Sequence, residues 1–498
     1  MFESGSLPFR RPRAADVSAV AALLLIGLSL RALAQAPPPG VPALNAGGVT
    51  IAGSVRTRVE SWDWFGDAEN GTYTYPASLV RFGLGRSQQK RDWQVEFSAP
   101  LLLGLPEQPI GAGPAGLGAN YFVANERRQH AAGVFVKQAF FRFKDVANVT
   151  GQSLKIGRME FLDGAEVSPK NDTLAALKRD RVAARVLANF GFTHVQRSVD
   201  GAQYAFDRPT LNVTLLAARP TRGVFQVDGW GELAINVVYG ALTRQFGSRA
   251  DAGEWRLFGL TFNDRRDGVV KTDNRPLAAR QADRDHVTVQ TLGGHYILAI
   301  GSRRGPIDVL LWGAAQSGSW GELSHRAGSF AVEAGWQPQV ALSPWIRGGF
   351  DYGSGDGEPT DAVHGTFFQV LPTPRLYARF PFFNMMNSAD AFGELMLRPS
   401  KRVTIRMDIH SLRVADGHDL WYQGGGAFQT ETFGFTGQPV GGRHALATLY
   451  DASADIILTS RTSVTGYYGF AAGGEAAAMN YPTSTHSSFG YAELLVRF

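Results

Sequence analysis

Along most of this chain apolar and polar residues alternate with a period of two, the mark of strands that have one apolar and one polar face. Val55, Thr57 and Val59 oppose Arg56, Arg58 and Glu60, and Trp93, Val95 and Phe97 oppose Gln94, Glu96 and Ser98. Leu211, Val213 and Leu215 are set against Asn212 and Thr214, and Phe330, Val332, Ala334 and Trp336 against Ala331, Glu333 and Gly335. By the same rule Leu233, Ile235, Val237 and Tyr239 form an apolar face opposite Ala234, Asn236 and Val238. The clearest run sets Val403, Ile405, Met407 and Ile409 against Arg402, Thr404, Arg406, Asp408 and His410. Between 446 and 458, Asp451 and Asp455 fall on the polar side. A soluble sandwich alternates too, but here the polar face carries ionised groups strand after strand and the apolar face ends in aromatics. That pattern fits a wall between lipid and a wet lumen.

No apolar run approaches the length of a spanning helix. A membrane crossing made of strands must then be a closed barrel, because open sheet edges cannot face lipid. The predicted fold is all-β, a transmembrane antiparallel β-barrel of roughly 16–18 strands. Stretches rich in Gly, Pro and Asp mark long loops at Leu105 to Asn120, Ser248 to Asp285 and Gly353 to Arg375. The last nine residues, Gly490 to Phe498, alternate once more, with Ala492, Leu494, Val496 and Phe498 on one face and Tyr491, Glu493 and Arg497 on the other. This ending is similar to the terminal strand by which outer-membrane barrels are recognised, so the barrel-assembly machinery is an expected partner through Phe498, alongside outer-membrane lipid.

Residues 1–34 read as a secretory signal. Arg10, Arg11 and Arg13 precede an apolar stretch from Val17 to Leu30, and Ala32-Leu33-Ala34 fits a small-x-small cleavage site. Residues 35–48, rich in Pro, Gly and Ala, read as a flexible leader, and 49–498 as the barrel. Composition adds 58 glycines for tight turns, and 32 Phe, 14 Tyr and 10 Trp for a lipid-facing band and its girdles. There is no cysteine, which excludes disulfides, thiolate metal sites and a cysteine nucleophile. The signal removes four of the 49 basic and two of the 44 acidic residues, leaving a net charge of about +3, too small and too mixed for a nucleic-acid partner. The expected location is the cell outer membrane.

Candidate chemistry concentrates in arginine. Arg56, Arg58, Arg81, Arg142, Arg347 and Arg406 stand on polar faces, where guanidinium groups attract anions and hold carboxylates in pairs of hydrogen bonds. Asp408 and His410 share the face of Arg406, and His410 reads as a member of a lumen hydrogen-bond network rather than a metal ligand. Asn171 to Phe190 breaks the strand pattern. Leu174, Leu177, Val182 and Leu187 fall on roughly helical spacing behind Asn171, a suitable N-cap. Lys178, Arg179, Arg181 and Arg185 crowd beside them, either folded into the lumen as a constriction or solvated outside it. The ten histidines show no metal-site spacing, Ser354 to Glu358 reads as a turn rather than a calcium loop, and no nucleophile elbow or phosphate-cradling loop is present. No cofactor, metal or catalytic residue is predicted, and the chain does not read as an enzyme.

Three segments carry a resemblance: Ile156-Gly157-Arg158 followed by Asp163-Gly164-Ala165-Glu166, Arg197 to Gly201, and Asp419 to Tyr422 with Gly424 to Gly426. Together they resemble the alginate-export outer-membrane barrels over essentially the whole chain after the signal. The resemblance implies passive diffusion of a carboxylated polysaccharide through an arginine-lined pore, and adds Arg158 and Arg197 to the expected pore-facing residues. One departure is plain. Where the family often has tyrosine-glycine-aspartate-x-arginine, this chain has Leu162 to Glu166, without that tyrosine or that arginine. The barrel therefore carries over and alginate as cargo does not.

The leading functional expectation is a channel for anionic or polar solutes, with polysaccharide export as one form. The second is a substrate-specific uptake porin for small organic acids or aromatics. An outer-membrane enzyme comes third, since no serine–histidine pair can be assembled.

Overall fold

The computed structural model describes residues 44–65, 71–107, 116–248 and 251–498. The signal segment 1–34 and most of the leader lie outside the described residues. The end of the leader does not: Leu44–Ala46 pairs antiparallel with the start of the first barrel strand through Gly47 and Gly48, both at positive φ.

Eighteen strands form the wall. They are β1 (Val49–Asp63), β2 (Thr72–Ser87), β3 (Arg91–Leu102), β4 (Phe135–Lys144), β5 (Gln152–Met159), β6 (Val199–Arg208), β7 (Leu211–Pro220), β8 (Ile235–Gly247) and β9 (Ala252–Asp264). The second half comprises β10 (Val287–Ile300), β11 (Ile307–Trp320), β12 (Leu323–Trp336), β13 (Trp345–Gly353), β14 (Ser388–Ser400), β15 (Val403–Arg413), β16 (Ala445–Ile457), β17 (Thr462–Gly473) and β18 (His486–Arg497). Each is antiparallel to its sequence neighbours, and β18 pairs with β1 to close the ring, with Ser54 opposite Arg497 and Asp63 opposite Ser488. Closure extends to the last residue: Gly53 N–H donates to the Phe498 carbonyl at 2.8 Å and Phe498 N–H to the Gly53 carbonyl at 3.0 Å. Glycine suits position 53, because a Cβ there would lie 2.5 Å from the Phe498 ring and 2.7 Å from the Arg81 carbonyl oxygen.

Alternation decides which side chains meet lipid. Leu292, Phe141, Leu257, Val238 and Leu215 are among the most exposed apolar residues, whereas Arg58, Glu60, Glu254 and Glu333 are buried on the inner face. In β15 Met407 and Ile409 face out while Asp408 and His410 are enclosed, so the parity read from that strand holds. The connections after the even-numbered strands are short and lie at the end of the barrel that holds Val49 and Arg497. Those after the odd-numbered strands include the long ones, the arrangement usual in outer-membrane barrels. No helix among the described residues is long and apolar enough to cross a membrane.

Two expectations fail. Residues 248–285 are not one loop, because β9 occupies Ala252–Asp264 with Glu254 and Arg256 pointing in. In β8 the parity is reversed: Ile235, Val237 and Tyr239 are buried inside, while Val238 faces lipid. The reason is that the lumen beside β8 is filled with protein, so its inner face is apolar too. Phe161 packs on the Tyr239 ring at 5.1 Å. The aromatics divide likewise. Phe97, Phe141 and Trp336 face outward, but Trp62, Trp64, Trp320 and Trp345 are wholly buried inside.

Candidate pore constriction

The filling comes from the connections that follow β5 and β13. In the first, residues 160–198, Asn171 caps a short helix, Asp172–Leu177, its side chain accepting from Leu174 N–H at 2.9 Å. The helix then widens by one turn over Lys178–Val182 and ends, so the expected helical spacing stops short of Leu187. Leu187 instead forms a parallel bridge with Leu371 of the second connection, residues 354–387.

The basic cluster explains this path. The segment is folded into the lumen, and its cations reach the far wall. Lys178 Nζ lies 2.5 Å from Glu254 of β9. Arg181 sits 2.9 Å from Glu333 of β12 and 3.5 Å from Asp351 of β13. Arg185 sits 2.6 Å from Asp351 and 3.1 Å from Glu333. Arg179 is the exception: it turns to its neighbour Asp180 and stays partly exposed. Burial pulls the Lys178 ammonium below its ordinary value, against the pull of Glu254.

Wall arginines hold the same segment by its backbone. Arg56 donates to the carbonyls of Gly191 (2.9 Å) and Thr193, and Arg58 to that of Phe192 at 2.5 Å. Arg81 pairs with Glu96 and, at 3.0 Å, with Glu160 at the root of the loop. Asp163, fully buried, accepts from Val186 N–H (3.1 Å) and Leu187 N–H (2.9 Å). Burial raises its carboxyl to about 6 in spite of nearby Arg256. Arg197 meets no carboxylate within ion-pair distance among the described residues. It donates to the carbonyls of Ala427 (3.0 Å) and Gly425, and burial lowers it to about 9.

The second connection zips onto the first. Leu371 N–H donates to Val186 O at 2.9 Å, Ala188 N–H to Leu371 O at 2.7 Å, and Thr373 N–H to Ala184 O at 3.0 Å. Tyr377 Oη donates to Ala183 O at 2.7 Å, and its ring lies 4.3 Å from the Arg185 guanidinium. Beyond this zipper Arg375 lies over the Phe192 and Phe489 rings, and no carboxylate among the described residues is within ion-pair distance of it. Burial lowers Arg375 to about 10, so it stays charged. Arg379 follows, 3.9 Å from Asp455 and near the Tyr467 ring. Neither residue was singled out for the lumen from the sequence, because both lie in an irregular loop where parity gives no direction.

The remaining expected residues divide. Arg347 faces the lumen between Asp308 and Glu333, and Arg406 between Glu394 (2.9 Å) and Asp408 (2.8 Å). His410 Nδ1 is 2.8 Å from Asp390 Oδ2, so it does belong to a lumen network. Arg142 is half-exposed and pairs with Asp92 near the short-turn end. Arg158 corrects its expected placement. It shares the parity of lipid-facing Ile156 and stands on the outer face, paired with Asp200 at 2.6 Å and donating to the carbonyls of Gly229 and Trp230.

A profile of the family described as "Alginate export" matches residues 114–490, more than half of the chain. The chain belongs to the alginate export family. Among solved structures, this family member is similar in fold to the outer membrane protein opdK from Pseudomonas aeruginosa, with a TM-score of 0.53 at 7% identity, covering 90% of this chain and 98% of that one. It is also similar to OccAB2 of Acinetobacter baumannii (TM-score 0.54, 8% identity, 90% and 98% covered) and to OccK9 (OpdG) of Pseudomonas aeruginosa (0.53, 9%, 90% and 98%). At such identities the likeness is one of fold. A search of curated protein sequences finds no match. Family and fold together make this alginate export family member a channel-forming barrel of the outer membrane.

Proposed function

We propose that the barrel passes anionic or polar solutes, drawn through the lumen by guanidinium groups at the two zipped loops, with an acidic polysaccharide as the first reading. The observation that carries this is Arg375. Arg181, Arg185, Arg347 and Arg406 are already committed to wall carboxylates, whereas Arg375 is charged, lies between loop and wall, and faces aromatic rings instead of an acid. One nitrogen of this buried guanidinium donates to the Arg379 carbonyl, and its remaining N–H groups offer hydrogen bonds to a solute carboxylate. Small aromatic acids are the second reading. The fold is similar to that of opdK, one of whose structures is a complex with vanillate, and Phe192 and Phe489 offer ring faces beside Arg375.

The test is reversal potential across a salt gradient in planar bilayers, for the native protein and Arg375→Gln. The native channel is expected to prefer anions and the variant to lose much of that preference. A cation-selective native channel refutes the reading. Block by an oligouronate but not by a monomeric aromatic acid supports the polysaccharide; the reverse supports the second reading. Outer-membrane lipid, and the assembly machinery acting through Phe498, belong to the same proposal as partners.

A further inference from the structure

Three neighbouring strands set acids side by side in the lumen wall. Glu394 of β14 is in register with Asp408 of β15, and Asp408 with Asp451 of β16. Like charges directly opposite across strand pairs repel, and these three are buried. Arg406 answers part of the charge by bridging Glu394 and Asp408. Asp451 receives a hydrogen bond from Tyr467 Oη at 2.6 Å and one from the Arg379 backbone N–H at 3.2 Å, neither of which cancels its charge.

His410 completes the group. Its Nδ1 is engaged by Asp390 at 2.8 Å and its ring stacks on Phe392. Its Nε2 is buried and meets no hydrogen-bonding partner among the described residues. One ligand atom each from Asp408, His410 and Asp451 lies within 4.8 Å of the other two. With Nδ1 held by Asp390, Nε2 is the nitrogen that His410 has to offer. A carboxylate fixing one imidazole nitrogen so that the other faces an ion is the usual outer support of a metal-bound histidine.

We propose that Asp408, His410 and Asp451 form a binding site for a divalent transition-metal ion, with Asp390 as the positioning residue. One imidazole and two carboxylates suit Zn²⁺ or a similar borderline ion, with a fourth position open to lumen water. Tetrahedral bonds of about 2.0–2.1 Å separate ligand atoms by about 3.3 Å, so small side-chain rotations close the present spacing. The ion would offset acids that the wall otherwise leaves facing one another, next to the loop that carries Arg379. This inference does not depend on which solute the channel passes.

The experiment uses the full-length folded barrel in detergent, dialysed against Zn²⁺ with metal content read by mass spectrometry, and titrated calorimetrically. One tight Zn²⁺ per chain is expected. His410→Gln should weaken it at least tenfold, and Asp390→Asn on the order of 10–100-fold, with heat-modifiable migration on gels confirming that both variants are folded. Surface histidines such as His418 and His486 bind only weakly, and that background should persist in His410→Gln. No stoichiometric Zn²⁺ site, affinity unchanged in folded His410→Gln, or binding of Ca²⁺ in place of Zn²⁺ would overturn the proposal.

Discussion

Arg179 and Arg185 lie six residues apart in one in-folded loop and carry the same charge, yet their replacement by glutamine should have different consequences. Arg185 is fully buried, 2.6 Å from Asp351 and 3.1 Å from Glu333, two acids on the opposite wall. Arg185→Gln leaves these acids with Arg181 and Arg347 as their only cations within ion-pair distance among the described residues. Removing one partner from a buried ion network costs roughly 3–5 kcal/mol. That would shift the balance between seated and released loop on the order of 10²-fold or more. Among the described residues Arg179 pairs only with adjacent Asp180, and it is partly exposed, so Arg179→Gln should cost about 0–1 kcal/mol. Single-channel recording separates the two. Arg185→Gln should show frequent transitions to a higher-conductance state, and Arg179→Gln should behave like the native protein. The double variant Arg185→Gln with Asp351→Asn should recover part of the loss, since it removes the stranded charge. The contrast should persist at high salt, which screens exposed charges but not a dry pair. Identical traces for the two single variants, or no recovery in the double, would refute the view that this network seats the loop.

Other outcomes follow from the same geometry. Asp163→Asn keeps an acceptor for Val186 and Leu187 N–H but removes the titration. Because burial raises the native carboxyl from 3.8 to about 6, its contribution to seating is fully present below pH 3.8 and lost as pH rises through about 6. Loop opening should therefore increase between about pH 3.8 and 6 in the native channel, by at most about 3 kcal/mol in all, level off above that, and show no such step in Asp163→Asn. Leu292→Arg puts a charge on the lipid face at roughly 2–4 kcal/mol and should lower the heat-modifiable fraction. Cysteine at 406 should react with a water-soluble thiol reagent in the assembled barrel and cysteine at 405 should not; the native chain has no cysteine to confuse the reading. Phe498→Ala should reduce the amount of assembled barrel without changing the conductance of what assembles, because it keeps the backbone bonds to Gly53 but removes the ring that covers Gly53 at the closing seam, outside the lumen network.

Period-two alternation was enough to place Arg56, Arg58, Arg81, Arg347, Arg406, Asp408 and His410 on inner faces. Side chains on a strand alternate strictly, and lipid permits only one of the two faces to be charged. Chain length allowed roughly 16–18 strands, a range that includes the eighteen found, and alternation over Gly490 to Phe498 marked the last strand, whereas its closure on Gly53 came from the fold. Alternation failed at β8, where the inner face meets packed protein instead of water; the resemblance, not alternation, misplaced Arg158, which lies on the outer face and finds Asp200 on a neighbouring strand. A strand register of local origin carries no information about what fills the lumen. Arg185 meets its acids 148 and 166 residues further along the chain, and Arg375, in an irregular loop, meets the Arg379 carbonyl and no acid within ion-pair distance among the described residues. Asp451 comes to His410 only through the pairing of β15 with β16, across the long connection between them. Sequence periodicity records which face of a strand is wet, since that depends on each residue and its immediate neighbours. Which charges are cancelled and which remain free depends on partners brought together by barrel closure and loop infolding, and that was decided by the tertiary structure alone.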